Sequence, residues 1–181
     1  MNSIDIFVQN YFSTIRAPFL TEFMYILTSL FDVSFSFFAV VFCVALLIYI
    51  VRNLKYSLLF TVAIFFSGAF VYFLKLFFNV ARPINPVITA FGQSFPSYHA
   101  TVATVFFIML MYIFDDYFSS IKRKTFNFIC IVSIFLIAFS RIYLGVHWLS
   151  DVIGGIVFGG IISYISIKIF KYAQKSPIVL K

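Results

Sequence analysis

Residues 56–79 read YSLLFTVAIFFSGAFVYFLKLFFN, an apolar run longer than the roughly 20 residues that carry an α-helix across a hydrocarbon core of about 30 Å. Four further apolar stretches, at 34–51, 97–114, 124–141 and 147–170, flank it and are separated by short polar or charged connections. Together they predict an all-α fold, a polytopic transmembrane bundle of five or six helices. The count turns on residues 1–33. Gln9, Asn10, Arg16 and Glu22 lie among their aromatics, and Pro18 interrupts them. This segment reads either as an interfacial amphipathic piece or as a first crossing. Residues 4–15 favour the interface, whereas 17–31 are short for a perpendicular span yet could form a tight hairpin with the next helix around Asp32.

Composition agrees with a lipid solvent. The chain is 63% hydrophobic and 10% charged, with a mean hydropathy of +1.07, which excludes an ordinary soluble globular domain. Residues 1–181 read as one membrane-embedded domain. The N-terminal MNSIDIFVQN has no basic leader and no cleavage pattern, so it is not expected to be a removable signal. Cys43 and Cys130 lie inside apolar runs without metal-ligand spacing, and no structural disulfide is expected between them.

Charge sets the orientation, because connections rich in Lys and Arg tend to face the cytoplasm. Arg52, Lys55, Lys122, Arg123, Lys124, Lys168, Lys171, Lys175 and Lys181 fall on one predicted face, nine of the thirteen basic residues. This bias and the attraction of anionic headgroups account for most of the net charge of +7, and no nucleic-acid partner is needed. Lys75, Arg82 and Arg141 fall on the opposite, non-cytoplasmic face. Ionisable residues at membrane depth are costly, so three of them together call for a function.

Lys75 closes the 56–79 helix, and Arg82 follows with the spacing K-x6-R-P through Pro83. An ammonium and a guanidinium converging on one pocket suit an anion with several oxygens, although a snorkelling Lys75 would account for the lysine alone. Pro96-Ser97-Tyr98-His99 stands before the next apolar run and reads as a helix start, where free N–H groups and the dipole favour an anion. Ser97 can add a hydroxyl. His99 would face whatever those groups hold, or serve only as a cap. The third element is Ser140-Arg141, then His147 and Asp151, spaced S-R-x5-H-x3-D. Four residues apart on one helix, Asp151 can hydrogen-bond one nitrogen of His147 and leave the other free for attack; a purely structural link fits the pair equally well. Trp148 reads as an interfacial anchor. Gly155 and Gly159 allow close helix approach, either within the monomer or between two copies.

With these three motifs in this order between residues 75 and 151, the chain resembles the type 2 phosphatidic acid phosphatase superfamily. The resemblance implies a metal-independent, cofactor-free lipid phosphatase with a phosphohistidine intermediate. His147 would be the nucleophile, Asp151 its orienting carboxylate and His99 the general acid. Lys75, Arg82, Ser97, Tyr98 and Arg141 would line the phosphate site. It further implies a phosphate monoester or pyrophosphate headgroup on a lipid, at the outer face of a bacterial plasma membrane. Undecaprenyl diphosphate, phosphatidic acid, phosphatidylglycerol phosphate and lipid A 1-phosphate are the candidates, and the partners are this lipid and the bilayer. One departure stands out: Tyr98 occupies a position that is usually glycine in the family. It is the feature that favours the alternative, a catalytically silent membrane protein that binds or transports phospholipid with a retained phosphate cradle. A soluble haloperoxidase architecture, which shares the cradle, is disfavoured by length and hydropathy.

Overall fold

A helix surrounded by other helices must be apolar on every side and narrow enough to be approached. In the computed structural model, which describes residues 2–175, the segment Tyr98–Ile113 meets both demands. Ala100, Val102, Ala103, Val105, Met109 and Ile113 are all buried, as are Thr101 and Thr104. The two threonines turn their hydroxyls back onto the carbonyls of Ser97 and Ala100, so neither is left unpaired in an apolar setting. The described residues form seven helices: α1 (Ser3–Thr14), α2 (Pro18–Ser29), α3 (Phe35–Val51), α4 (Leu54–Phe78), α5 (Tyr98–Ile113), α6 (Ser120–Tyr143) and α7 (Leu149–Lys175). α5 packs against α4, α6 and α7, and α3 lies outside α4.

Gly155 and Gly159 explain how α7 approaches α5 so closely. A Cβ at 155 would stand 2.9 Å from both Ala100 Cβ and the Ser97 carbonyl oxygen. One at 159 would stand 2.7 Å from the Thr101 carbonyl oxygen. Packing within the monomer therefore uses this pair of glycines.

α4, α6 and α7 are long and apolar enough to cross a membrane, and α3 and α5 are shorter apolar helices. All five run between the same two ends. At one end an Arg52–Asp116 ion pair of 2.6 Å joins the exit of α3 to the α5–α6 connection. Nearby, Lys171 lies over the Tyr112 ring and Phe170 meets Tyr56. This end carries eight of the nine residues expected on the basic face; Lys181 lies outside the described residues. The other end gathers Lys75, Arg82, His99, Arg141 and His147.

Residues 2–33 form two short helices at that second end. Both ends of α2 meet the same end of α6: Ala17 N donates to the Tyr143 hydroxyl at 2.8 Å, and Arg141 Nη1 donates to Thr28 Oγ1 at 3.0 Å. α2 therefore does not cross, which leaves five crossing helices. α1 is amphipathic in reverse of a helix on a soluble protein. Its buried residues are the polar Asp5 and Gln9, and its exposed ones include Ile4, Phe7 and Tyr11. Such a helix suits the interface, where its apolar side would meet lipid while its polar side faces the protein. Cys43 is exposed on α3 and Cys130 is buried on α6, and both are free.

Candidate active site

The loop from Asn79 to Ser97 crosses the mouth of the bundle and is laced to the α6–α7 turn. Val87 N donates to the Leu144 carbonyl, Ser97 N to the Asp151 carbonyl and Trp148 Nε1 to the Ala81 carbonyl. Trp148 is thus buried as a loop staple; it is not the interfacial anchor expected from sequence, because its indole N–H has a carbonyl within the fold. Lys75, in the last turn of α4, adds two bonds to the loop, to the carbonyls of Gln93 at 2.7 Å and Ser94 at 3.0 Å.

The turn itself depends on Gly145, whose φ of +72° a side chain would strain. Its open flank is filled by the Arg16 guanidinium, which also donates to the Tyr143 carbonyl at 3.0 Å. Asp5 of α1 accepts from Ser150 N and Ser150 Oγ at 2.9 and 2.8 Å, capping the start of α7. The interfacial helix thereby fixes the segment that carries His147 and Asp151.

His147 is fully enclosed and held from both sides. Its Nδ1 lies 3.3 Å from Asp151 Oδ2, and its Nε2 lies 3.2 Å from Arg82 Nη1. Guanidinium has donors and no acceptor, so Nε2 must accept and the ring proton must sit on Nδ1, facing the carboxylate. Asp151 Oδ2 accepts in addition from Trp148 N at 2.8 Å and from the Ser94 hydroxyl, which is itself 3.4 Å from His147 Nδ1. Burial pushes the His147 imidazole well below its ordinary pKa, and the charges of Arg141, Arg82 and Lys75 push it further. It is therefore a neutral base at neutral pH, with its free lone pair on Nε2.

Arg82 makes more bonds than an anion-binding residue needs. Its Nε and Nη2 donate to the carbonyls of Gly92 and Phe91, and Nη1 donates to Val146 as well as to His147. Arg141 is nearly enclosed and holds Thr28, while its Nε is buried without a partner among the described residues. His99 Nε2 is 2.8 Å from Asp32 Oδ1, a carboxylate in the turn between α2 and α3.

Lys75, Arg82, Tyr98, His99, Arg141 and His147 line one cavity of about 960 Å³, whose remaining wall is largely aromatic and aliphatic. Ser97 and Asp151 do not line it. Ser97 is completely buried as the N-cap of α5, where its hydroxyl accepts from Ala100 N. Tyr98 begins α5 without a left-handed backbone, so this position requires no glycine. A Cβ at Gly68 of α4 would stand 3.5 Å from the Tyr98 ring, which meets His99 edge-on. Sequence reasoning missed Ser94, Asp32 and Asp5, each joined to the site by a contact across 57 residues or more. Neither periodicity nor a local motif marks such partners.

No curated protein sequence matches the chain. Two solved structures match it over nearly its whole length. The first transmembrane PAP2 type phosphatidylglycerolphosphate phosphatase from Bacillus subtilis aligns with a TM-score of 0.86 and 25% identity, covering 97% of this chain and 88% of its own. LpxE of Aquifex aeolicus aligns with a TM-score of 0.76 and 26% identity, covering 92% of this chain and 96% of its own. The family model of the PAP2 superfamily matches residues 56–175, a span that holds all three motifs. By that match, the chain belongs to the PAP2 superfamily, the phosphatase family that its motifs resemble.

Proposed function

We propose that this chain hydrolyses a terminal phosphate from a membrane lipid through a covalent phosphohistidine at His147, on the non-cytoplasmic face. The observation that carries the reading is the tautomer of His147. Arg82 and Asp151 oblige its nucleophilic lone pair to lie on Nε2, beside a guanidinium suited to a phosphate oxygen. An entering phosphate would take over that guanidinium hydrogen, freeing the lone pair as it brings phosphorus within reach. The unpartnered Nε of Arg141 and the remaining hydrogen of Lys75 offer further donors for the charge spread over the transferring oxygens. Tyr98 and His99 add the first N–H groups of α5, which have no acceptor within the helix.

His99 is assigned the proton for the departing alcohol or phosphate. Ser97 acts through the helix start that it caps, and Tyr98 forms part of the cavity wall. The apolar wall suits acyl or isoprenoid chains, and the cationic mouth suits a monoester or pyrophosphate. The full-length likeness to a phosphatidylglycerolphosphate phosphatase puts that lipid first in a panel with phosphatidic acid, undecaprenyl diphosphate and lipid A 1-phosphate.

The test is phosphate release in detergent from this panel by wild type and His147→Ala, with and without EDTA. Turnover by wild type, insensitive to EDTA and abolished in the variant, is the expected result. Full activity in His147→Ala would remove the nucleophile assignment, and loss with EDTA would remove the metal-free mechanism. For the orientation, Ile88→Cys should react with an impermeant thiol reagent in intact cells; labelling only after lysis would reverse it.

A further inference from the structure

The turn between α2 and α3 is built to present one carboxylate. Phe31 N and Asp32 N donate to the carbonyls of Thr28 and Ser29, and Ser34 Oγ donates to the Asp32 carbonyl. Phe31 anchors the turn from beneath, buried against the rings of Phe37, Phe106 and Phe107. Thr28, one turn earlier and completely buried, holds Arg141. The same few residues thus fix Asp32 against His99 and a phosphate-site arginine against α2. Asp32 itself lines the cavity, with its side chain 44% exposed.

Asp32 is the carboxylate that meets His99, and Arg141 and Arg82 line the same cavity. Burial disfavours the ionised form of Asp32, but its hydrogen bond with His99 and the charges of His99 and Arg141 outweigh this and hold it below the usual carboxylate range. A permanent anion 2.8 Å from Nε2 both selects the ring orientation and stabilises the imidazolium that a proton donor must be.

We infer that Asp32 is the positioning residue of a second histidine–carboxylate pair, which orients His99 and supports the imidazolium through which it acts as the general acid of the reaction. The inference rests on the proposed role of His99. As the His147 Nε2–phosphorus bond forms and the lipid oxygen–phosphorus bond breaks, the departing oxygen takes the proton from the His99 nitrogen not bound to Asp32. The neutral ring keeps its Nε2 hydrogen on Asp32. In the second half, the free nitrogen accepts a proton from water as its oxygen attacks phosphorus and the histidine–phosphorus bond breaks. The imidazolium is restored, and Asp32 stays ionised throughout.

A residue that acts only through the general acid matters in proportion to the leaving group's need for a proton. The test compares Asp32→Asn and Asp32→Glu with wild type on phosphatidic acid, whose alkoxide leaves poorly, and on 4-nitrophenyl phosphate, whose phenolate leaves well. Asp32→Asn should lower the alkyl rate by roughly thirtyfold and the aryl rate by less than about threefold, since general acid catalysis supplies about 100-fold or more. Asp32→Glu, which keeps the charge, should restore most of the alkyl-to-aryl ratio. Equal losses on both substrates, or no recovery of the ratio by glutamate, would overturn the inference. His147→Ala serves as the control for the underlying reading: it should abolish both activities, and survival of either would defeat the nucleophile assignment whatever Asp32 does.

Discussion

The two histidines of this chain each meet an aspartate, and the two pairs are built in opposite ways. His147 and Asp151 are four residues apart, both are enclosed, and the carboxylate accepts from Trp148 N and Ser94 as well as from the imidazole. His99 and Asp32 are 67 residues apart, and the carboxylate is half-exposed in the cavity wall. The difference matches the chemistry proposed for each. A nucleophile must be neutral and fixed, which burial and surrounding cations favour at His147. A proton donor must be able to carry charge, which a partly solvated anion at Asp32 favours for His99. One fold can run both tasks at one pH only by giving the two rings different surroundings.

The comparison breaks most sharply at the rings. His147→Ala should lower turnover of any lipid phosphate by at least about a thousandfold, because no other step can form the covalent intermediate. A loss of under tenfold in initial rates would contradict the account. His99→Gln should lower alkyl phosphate turnover by roughly 100-fold and aryl phosphate turnover much less, as for a lost general acid. Equal losses would merge the two pairs into one role.

Smaller effects separate the supports of the pairs. Ser94→Ala removes one donor from the Asp151 carboxylate, and a fall in kcat of roughly tenfold on alkyl and aryl substrates alike is expected, since a hydrogen bond to a charged group contributes about 1.5–3 kcal/mol. For pH, an imidazolium at 147 cannot attack, so activity is lost as pH falls through its depressed pKa. The acid limb of kcat/KM should therefore lie well below pH 6.5, and Lys75→Met, which deletes one of the repelling charges, should move it upward. A limb at or above that value in wild type would contradict the buried, neutral His147. Asp5→Ala is expected to have the smallest effect on chemistry. It removes the cap on α7 and should lower stability by about 1 kcal/mol, read as a lower thermal midpoint with kcat reduced less than about threefold.

What could be read from sequence follows the range of the interactions. The five crossing helices are continuous apolar runs, and their positions were legible to within a few residues. So was the assembly of Lys75, Arg82, His99, Arg141 and His147 at one end, because alternate crossings place alternate helix ends together. The GxxxG pair was legible as close packing, and the monomer turned out to use it. Residues 1–33 were harder. In α1 the buried residues are the polar Asp5 and Gln9, so hydropathy alone could not distinguish an interfacial helix from a poor crossing. Ser97 read as a hydroxyl for phosphate and Trp148 as an interfacial anchor, yet both are buried and bonded within the fold, to Ala100 N and the Ala81 carbonyl. Asp32 and Ser94 reach the site only through the tertiary fold. The nucleophile's pair is local and was visible; the pair assigned to the acid was not.

The stereochemistry of hydrolysis tests the central claim most directly. A lipid phosphorothioate made chiral at phosphorus with two oxygen isotopes, hydrolysed in water carrying the third, yields a chiral thiophosphate that reports how many displacements occur. Attack by His147 followed by attack of water is two in-line displacements, and the account predicts net retention of configuration. Net inversion would mean that water attacks the lipid phosphate directly, and that His147 forms no bond to phosphorus.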